Sequence, residues 1–272
     1  MKLENASVVL TGAAGGIGAP TARALVAAGA RLLLVGRDGR RLAALARALA
    51  PEPDGRRVEW VVADLTTAEG IEAVRLAARA RQVDVLINNA GLPSFGRLQA
   101  LDAAHVSAAL TSNLIAPIQL TQALLPALLQ RPRAVVLNVG SVLGRLGLPG
   151  FSVYSAAKFG LRGFSEALRR ELADTAVRVQ YLGPRATTTG FNSAEAEAYN
   201  QATGASSDPP EAVAAAVVAL LRSGRPERYL GRAEAVAVRL NGALPGALDG
   251  AFERHRRALP SAQPAKKEGE LR

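Results

Sequence analysis

Six short apolar runs, each followed by a segment of helical length, constrain this chain more than any other feature. They are Ser7–Thr11, Arg31–Gly36, Val58–Val62, Val85–Ile87, Val135–Val139 and Val177–Leu182. Between them lie Ile17–Ala28, Asp38–Ala50, Thr67–Ala80, Asp102–Leu129 and Val153–Ala173, the fourth of these long enough to be broken. Continuously apolar strands are buried on both faces, and intervening helices carry the chain back over the sheet, so the strands run parallel. Right-handed crossovers then give an α/β architecture: a doubly wound, mostly parallel sheet flanked by helices on both faces.

At 272 residues, 49% of them apolar, the chain can bury one large core. Residues 1–232 read as a single α/β domain. Beyond it, Val236, Leu240, Leu244, Leu248 and Phe252 recur every four residues, an apolar stripe at helical spacing. Gly242, Pro245 and Gly246 divide that stripe, so 233–259 is read as a helical C-terminal extension of two short helices that packs on the body or on a neighbouring subunit. The Pro-, Gln- and charge-rich residues 260–272 are read as a disordered tail. Between Ala186 and Pro210 no period is evident, and a mobile lid is expected there.

The absence of cysteine excludes thiolate catalysis and a disulfide framework, and with only His105 and His255 no metal site is expected. The net charge of +10 comes almost entirely from arginines scattered along the chain. That pattern suits a solvated face better than a phosphate-tracking stripe, so nucleic acid is not expected as a partner. A basic surface can still steer an anionic substrate or an acidic carrier. No apolar run approaches the length of a membrane span, the N-terminus does not read as a signal peptide, and membrane contact is not expected. Those readings place the chain in the cytoplasm.

The first strand ends in Thr11-Gly12-Ala13-Ala14-Gly15-Gly16-Ile17-Gly18, just before a helix. Glycines there allow a sharp turn and close backbone approach to a pyrophosphate at the helix N-terminus, the Rossmann dinucleotide arrangement. Strand two ends Val35-Gly36-Arg37-Asp38. An acidic residue at the end of that strand would bind a ribose 2′-hydroxyl; here Gly36 stands there and Arg37 follows. A guanidinium suits a 2′-phosphate, so NADP(H) is favoured over NAD(H), with Arg40 or Arg41 as further contributors.

Tyr154 and Lys158 lie four residues apart, on one face of a helix. A phenol near its ordinary pKa is a weak base, and an adjacent ammonium would stabilise the phenolate and bring that pKa down. Ser141 follows a buried strand, at the sheet edge where a hydroxyl can donate to a carbonyl oxygen.

Together these motifs resemble the short-chain dehydrogenase/reductase family, in order and at family spacing over about residues 5 to 232. The resemblance implies that Gly12, Ala14, Gly16, Ile17 and Gly18 form the cofactor turn and that Asp64 and Leu65 meet the adenine. It further implies that Asn89, Ala90 and Gly91, after Asn88, line the cofactor, joined by Tyr154, Lys158, Pro184 and Thr189. By the same resemblance Asn113, Ser141, Tyr154 and Lys158 form the catalytic tetrad. Tyr154 would exchange the proton, Ser141 orient the oxygen, Lys158 lower the Tyr154 pKa and hold the ribose, and Asn113 support a water relay. Family members are commonly dimers or tetramers, built from the helices that here hold Asn113 and Tyr154. The chain departs from the family at Arg185, where a glycine is usual; its charge would bias the site toward anionic substrates.

Ser141, Leu143, Phe151 and Phe191, with Leu92, Pro93, Ser94, Phe95, Val142 and Leu148 around them, are read as the substrate pocket. Most are apolar, which suits a hydrophobic ketone or secondary alcohol. A 3-oxoacyl thioester is a subcase, and an NADP(H)-binding redox sensor without turnover is the alternative.

Overall fold

The structure, a computed structural model, describes residues 1–50 and 57–261. The first half alternates as the pattern predicts: β1 (Ser7–Thr11), α1 (Gly18–Ala27), β2 (Arg31–Gly36), α2 (Gly39–Leu49), β3 (Val58–Val62), α3 (Ala68–Ala80) and β4 (Val85–Asn88). The long helical segment is broken into α4 (Ala103–Leu110), one wide π-type turn at Thr111–Ile115, and α5 (Ala116–Leu128). Then come β5 (Ala134–Val139), α6 (Ser152–Glu171), β6 (Val177–Gly183), β7 (Ala186–Thr187), α7 (Ala194–Thr203), β8 (Ser207–Asp208), α8 (Pro210–Ser223) and β9 (Glu227–Tyr229). The chain closes with α9 (Arg232–Ala243), a 3₁₀ segment over Pro245–Phe252, and α10 (Glu253–Arg257).

Seven strands form one parallel sheet in the order β3-β2-β1-β4-β5-β6-β9. Successive residues of a strand point to opposite faces, so neighbours enter different cores. Val8 and Leu10 pack with Leu25 of α1 and Val217 of α8, whereas Val9 packs with Val74 of α3 and Leu120 and Leu124 of α5. Four helices are capped by side chains that accept from their first-turn N–H groups: Asp38 for α2, Thr67 for α3, Asp102 for α4 and Ser193 for α7. Each such cap contributes about 1 kcal/mol. No side chain caps α1.

The strand order reverses between β1 and β4, and there a crevice opens at the carboxyl ends of the strands. A buried amide network pins the elements around it. Asn88 donates to Thr121 Oγ1 (3.0 Å) and Asn138 Oδ1 (2.8 Å), and Asn138 donates to Ser165 Oγ (2.8 Å), tying β4, α5, β5 and α6 together.

The C-terminal half departs from the pattern in three ways. First, Glu227–Tyr229 adds a seventh strand, whose three residues are too few to show a period. Second, the stretch without an evident period contains α7, started by the Ser193 cap and Glu195 and Glu197 and stopped by left-handed Gly204; β8 and α8 follow. Third, the part of the apolar stripe on and just after α9 is not buried. Val236, Leu240 and Leu244 are 63%, 42% and 60% exposed, while Val238, on the other side of α9, is fully buried. Side-chain contacts choose that face: Val238 packs with Val142, Leu143 and Phe151, and Asn241 donates to the Arg145 carbonyl at 2.7 Å. Residues 262–272 of the expected tail and the Leu248 side chain lie outside the described residues.

Candidate active site

The crevice is a cleft of about 870 Å³ that runs from the glycine turn across the sheet edge to the C-terminal segment. At its first end, Gly12 adopts φ +62°, a conformation that side-chain-bearing residues rarely hold. The Thr11 hydroxyl accepts from the N–H groups of Asn89 (2.9 Å) and Ala90 (3.0 Å), fixing the loop after β4 beside that turn. Asn89 Nδ2 also donates to the Thr11 carbonyl at 2.9 Å. Gly12, Ala14, Ile17, Asn89, Ala90 and Gly91 line the cleft, as do Arg37, Asp64, Leu65, Pro184 and Thr189. Gly16 and Gly18 do not. Gly16 makes room for Thr189, and Gly18 lies against the Gly12 carbonyl, so both shape the turn rather than face the cleft. The uncapped start of α1 leaves first-turn N–H groups without a side-chain partner, a setting suited to an anion.

Around the adenosine end predicted from sequence, Arg37 is exposed on the cleft rim and Arg41 reaches across it, donating to the Ala14 carbonyl at 2.6 Å. Arg40 is not on the wall. The Asp64 carboxylate accepts from the Thr66 N–H (2.9 Å) and hydroxyl (2.7 Å), which hold it below the usual carboxylate range.

The reacting end gathers residues from three elements. Asn113 sits buried in the wide turn between α4 and α5, beneath the cleft rather than on its wall. Its Nδ2 donates to the carbonyls of Leu92 (2.8 Å) and Ala109 (2.9 Å), and its buried Oδ1 has no partner among the described residues. A Cβ on Gly91 would lie 2.5 Å from that oxygen, so glycine keeps the space open. Ser141 is buried after β5, and its Oγ accepts from the Leu143 N–H at 3.1 Å, which leaves its proton free to be donated. Tyr154, half-buried near the start of α6, and Lys158, one turn on and buried, both line the cleft. Lys158 Nζ lies over the Tyr154 ring, 5.4 Å from its centroid, and donates to the Val139 carbonyl at 3.3 Å.

Electrostatics here differ from the expectation that the lysine brings the tyrosine down. Burial pushes the Tyr154 phenol above its ordinary value and pushes Lys158 down to about 8. Desolvation shifts both groups toward their neutral forms, though a lysine at about 8 still carries its proton at pH 7. A neutral phenol is a proton donor at neutral pH.

One position was not legible in the sequence, and another was noticed there but given a different consequence. Tyr181, buried on β6, accepts from the Ser141 N–H (3.0 Å) and donates to the Ser141 carbonyl (2.9 Å), clamping both sides of the serine backbone. Nothing local marks it, because the contact depends on the pairing of β5 with β6. Arg185 does line the cleft, but its guanidinium is held by Asp208 (2.7 Å) and Glu234 (3.2 Å), which raise its pKa further. Two carboxylates offset its charge, so the expected bias toward anionic substrates loses its source. The residue instead ties the loop after β6 to β8 and α9.

The expected pocket residues Leu143, Phe151 and Phe191 line the cleft with Ser141, as do Leu92, Pro93, Ser94, Phe95, Val142 and Leu148. Phe252 and His255, absent from the expected pocket, join them. His105 Nε2 lies 3.1 Å from buried Ser94 Oγ on the same wall. Among the described residues no group of acidic or histidine side chains could hold a metal, and no helix is long and apolar enough to cross a membrane.

Comparison with known proteins yields one family, described as short chain dehydrogenase, whose model matches residues 6–200. The chain is 34% identical over 186 residues to dehydrogenase/reductase SDR family member 7B of Mus musculus, covering 67% of this chain and 58% of that protein. It is 33% identical over 184 residues to ketoacyl reductase HetN of Nostoc, covering 67% and 63%. The chain thus spans less than two thirds of the length of these relatives. Among solved structures, a short-chain dehydrogenase from Sphingobium yanoikuyae in complex with NADPH is 31% identical, with a TM-score of 0.75 over 96% of this chain and 99% of that one. A protein from Burkholderia phymatum in complex with NAD shares the fold at 23% identity, with a TM-score of 0.81 over 89% and 95%.

Proposed function

Because this chain belongs to the short chain dehydrogenase family, we propose that it is an NADPH-dependent reductase of an apolar ketone, with Tyr154 as the proton donor. Residues 1–232 form the catalytic domain in this reading, and 233–259 a helical extension. The observation that carries it is the convergence of Ser141, Tyr154 and Lys158 on the cleft that also holds the glycine turn. That cleft fits a dinucleotide: Gly12 turns at positive φ, no side chain caps α1, and Gly36 and Arg37 suit a 2′-phosphate. When bound, the nicotinamide supplies the hydride.

The chain's own residues do the rest. Tyr154 Oη gives its proton to the carbonyl oxygen, and the Ser141 hydroxyl donates a hydrogen bond to that oxygen as negative charge builds on it. Lys158 Nζ holds the nicotinamide ribose and returns a proton to Tyr154. The free Oδ1 of Asn113, facing the space beside Gly91, accepts from a water that resupplies Lys158. The neutral phenol is the form that can donate the proton reduction requires.

The test follows NADPH oxidation by absorbance across ketones, diketones and 3-oxoacyl thioesters, with Tyr154→Phe alongside. Turnover that falls by about 10²- to 10⁴-fold in the variant supports the reading. NADPH binding without turnover across the panel would favour a sensor instead. A second reading, reduction of a 3-oxoacyl thioester on an acidic carrier, draws on the likeness to a ketoacyl reductase and on the net charge of +10.

A further inference from the structure

Of the residues given roles in the proposed reduction, Asn113 sits in a helical turn and Tyr154 and Lys158 on α6, whereas Ser141 stands outside any helix. It follows β5 in extended conformation, with φ −164° and ψ 162°, and leads into a single 3₁₀ turn at Val142–Gly144. Loop backbone keeps a hydroxyl aimed only when the peptide groups on either side of it are fixed. Here one side chain fixes both. Tyr181 Oη accepts from the Ser141 N–H at 3.0 Å and donates to the Ser141 carbonyl at 2.9 Å; that carbonyl also accepts from the Gly144 N–H at 3.0 Å.

The Tyr181 ring occupies a slot that two glycines keep clear. A Cβ on Gly140 would fall within the ring, and one on Gly144 would fall on its hydroxyl. The Gly144 Cβ would also lie 2.8 Å from the Lys158 carbonyl, so the serine turn rests directly against α6 where Lys158 stands. Tyr229 of β9 packs near the same ring, its centroid 6.0 Å away. Tyr181 is only 1% exposed and takes no place on the cleft wall, so in the reductase reading it reaches neither cofactor nor ketone. Burial pushes its phenol above the ordinary value and keeps the hydroxyl protonated, as a donor must be. A group that both donates and accepts suits this place, and a phenylalanine would leave the buried Ser141 N–H without a partner. With that N–H turned inward to Tyr181, Ser141 can meet a carbonyl oxygen only through its side-chain hydroxyl.

We propose that Tyr181 is a positioning residue for the reduction: it holds the Ser141 backbone so that the serine hydroxyl meets the substrate oxygen, and it acts through that serine alone. The inference rests on the reductase reading and adds to it a residue outside the cleft.

The experiment is a double-mutant cycle in the full chain, following NADPH-dependent reduction of 1-phenyl-1,2-propanedione with Tyr181→Phe, Ser141→Ala and both together. Tyr181→Phe should lower kcat about tenfold and leave the KM for each substrate within about twofold, because the lost bonds aim the serine and bind no ligand. Ser141→Ala should cost about a hundredfold in kcat. In that background Tyr181→Phe should lower kcat no further, since no hydroxyl is left to aim. Gly140→Ala, which pushes the ring from its slot but keeps its hydroxyl, should repeat the loss and likewise lose its effect beside Ser141→Ala. It decides the matter if Tyr181→Phe does not unfold cooperatively on heating. An undiminished kcat in Tyr181→Phe, or an equal loss with and without the serine hydroxyl, would overturn the positioning role while leaving the reductase standing. If the unaltered chain binds NADPH but reduces neither this diketone nor any other ketone of the panel, the reductase reading falls and takes the positioning role with it.

Discussion

At the scale of single residues, the proposed preference for NADPH turns on Gly36. A Cβ there would meet Leu42 Cδ2 at 3.5 Å, an ordinary contact, so a side chain fits. Gly36→Asp places a carboxylate where it repels a 2′-phosphate and accepts from a 2′-hydroxyl. The NADPH/NADH ratio of kcat/KM should fall on the order of a hundredfold, about 2.7 kcal/mol; an unchanged ratio would remove Gly36 and Arg37 from that role. Lys158 makes the opposite trade, function against stability. Its pKa falls to about 8 in the folded chain from an ordinary 10.5, so the unfolded chain binds its proton more tightly. The resulting destabilisation is fully present below pH 8 and fades as pH rises to 10.5. Lys158→Met should therefore abolish turnover yet raise stability by about 1–3 kcal/mol at pH 7. Denaturant titrations should show the gain shrinking toward pH 10.5; a gain independent of pH would point to packing instead. The motif residues behind these predictions were legible because each is defined by near neighbours: a glycine after a strand, a lysine one turn from a tyrosine. Tyr181 was not, since it acts on Ser141 across forty positions of sequence.

Among elements, the wide turn between α4 and α5 does the most for the site. The extra residue it accommodates sets buried Asn113 beside Gly91, where a regular helix would carry its side chain on around the axis. A break in that segment was predictable from its length, but not the kind of break. The outer faces of this turn and of α6 also carry information. Ile115 and Phe159 are each 43% exposed, large apolar groups on the elements that carry Asn113 and Lys158. We read that face as the contact between copies in a homodimer or tetramer. Light scattering after size exclusion should find an oligomer, and Phe159→Glu should shift it to monomer; a monomeric unaltered chain would dismiss the idea. Elements with few apolar residues escaped sequence reading. β9 is three residues long, and α7 is Ala- and Glu-rich with its one large buried ring at Tyr199.

Taken whole, the molecule is a parallel sheet whose two faces hide separate cores and whose carboxyl edge opens into the cleft. Sequence alone determined that plan. Apolar runs of strand length fix which segments are buried on both sides, and the alternation with helices fixes the direction in which they run. It also pointed to the residues that gather at the site, because each motif is local and the end of a parallel strand is where such motifs can meet. Tertiary structure decided what depends on distance through space. Val236, Leu240 and Leu244 of the C-terminal stripe face outward because Val238, not Val236 or Leu240, meets the hydrophobic cluster around Phe151. Arg185 is neutralised because α9 and β8 bring Glu234 and Asp208 to it. Phe252 and His255 join a pocket whose tyrosine lies about a hundred residues earlier in the chain. Periodicity reports which residues prefer burial, but not which surface will bury them; only packing settles that.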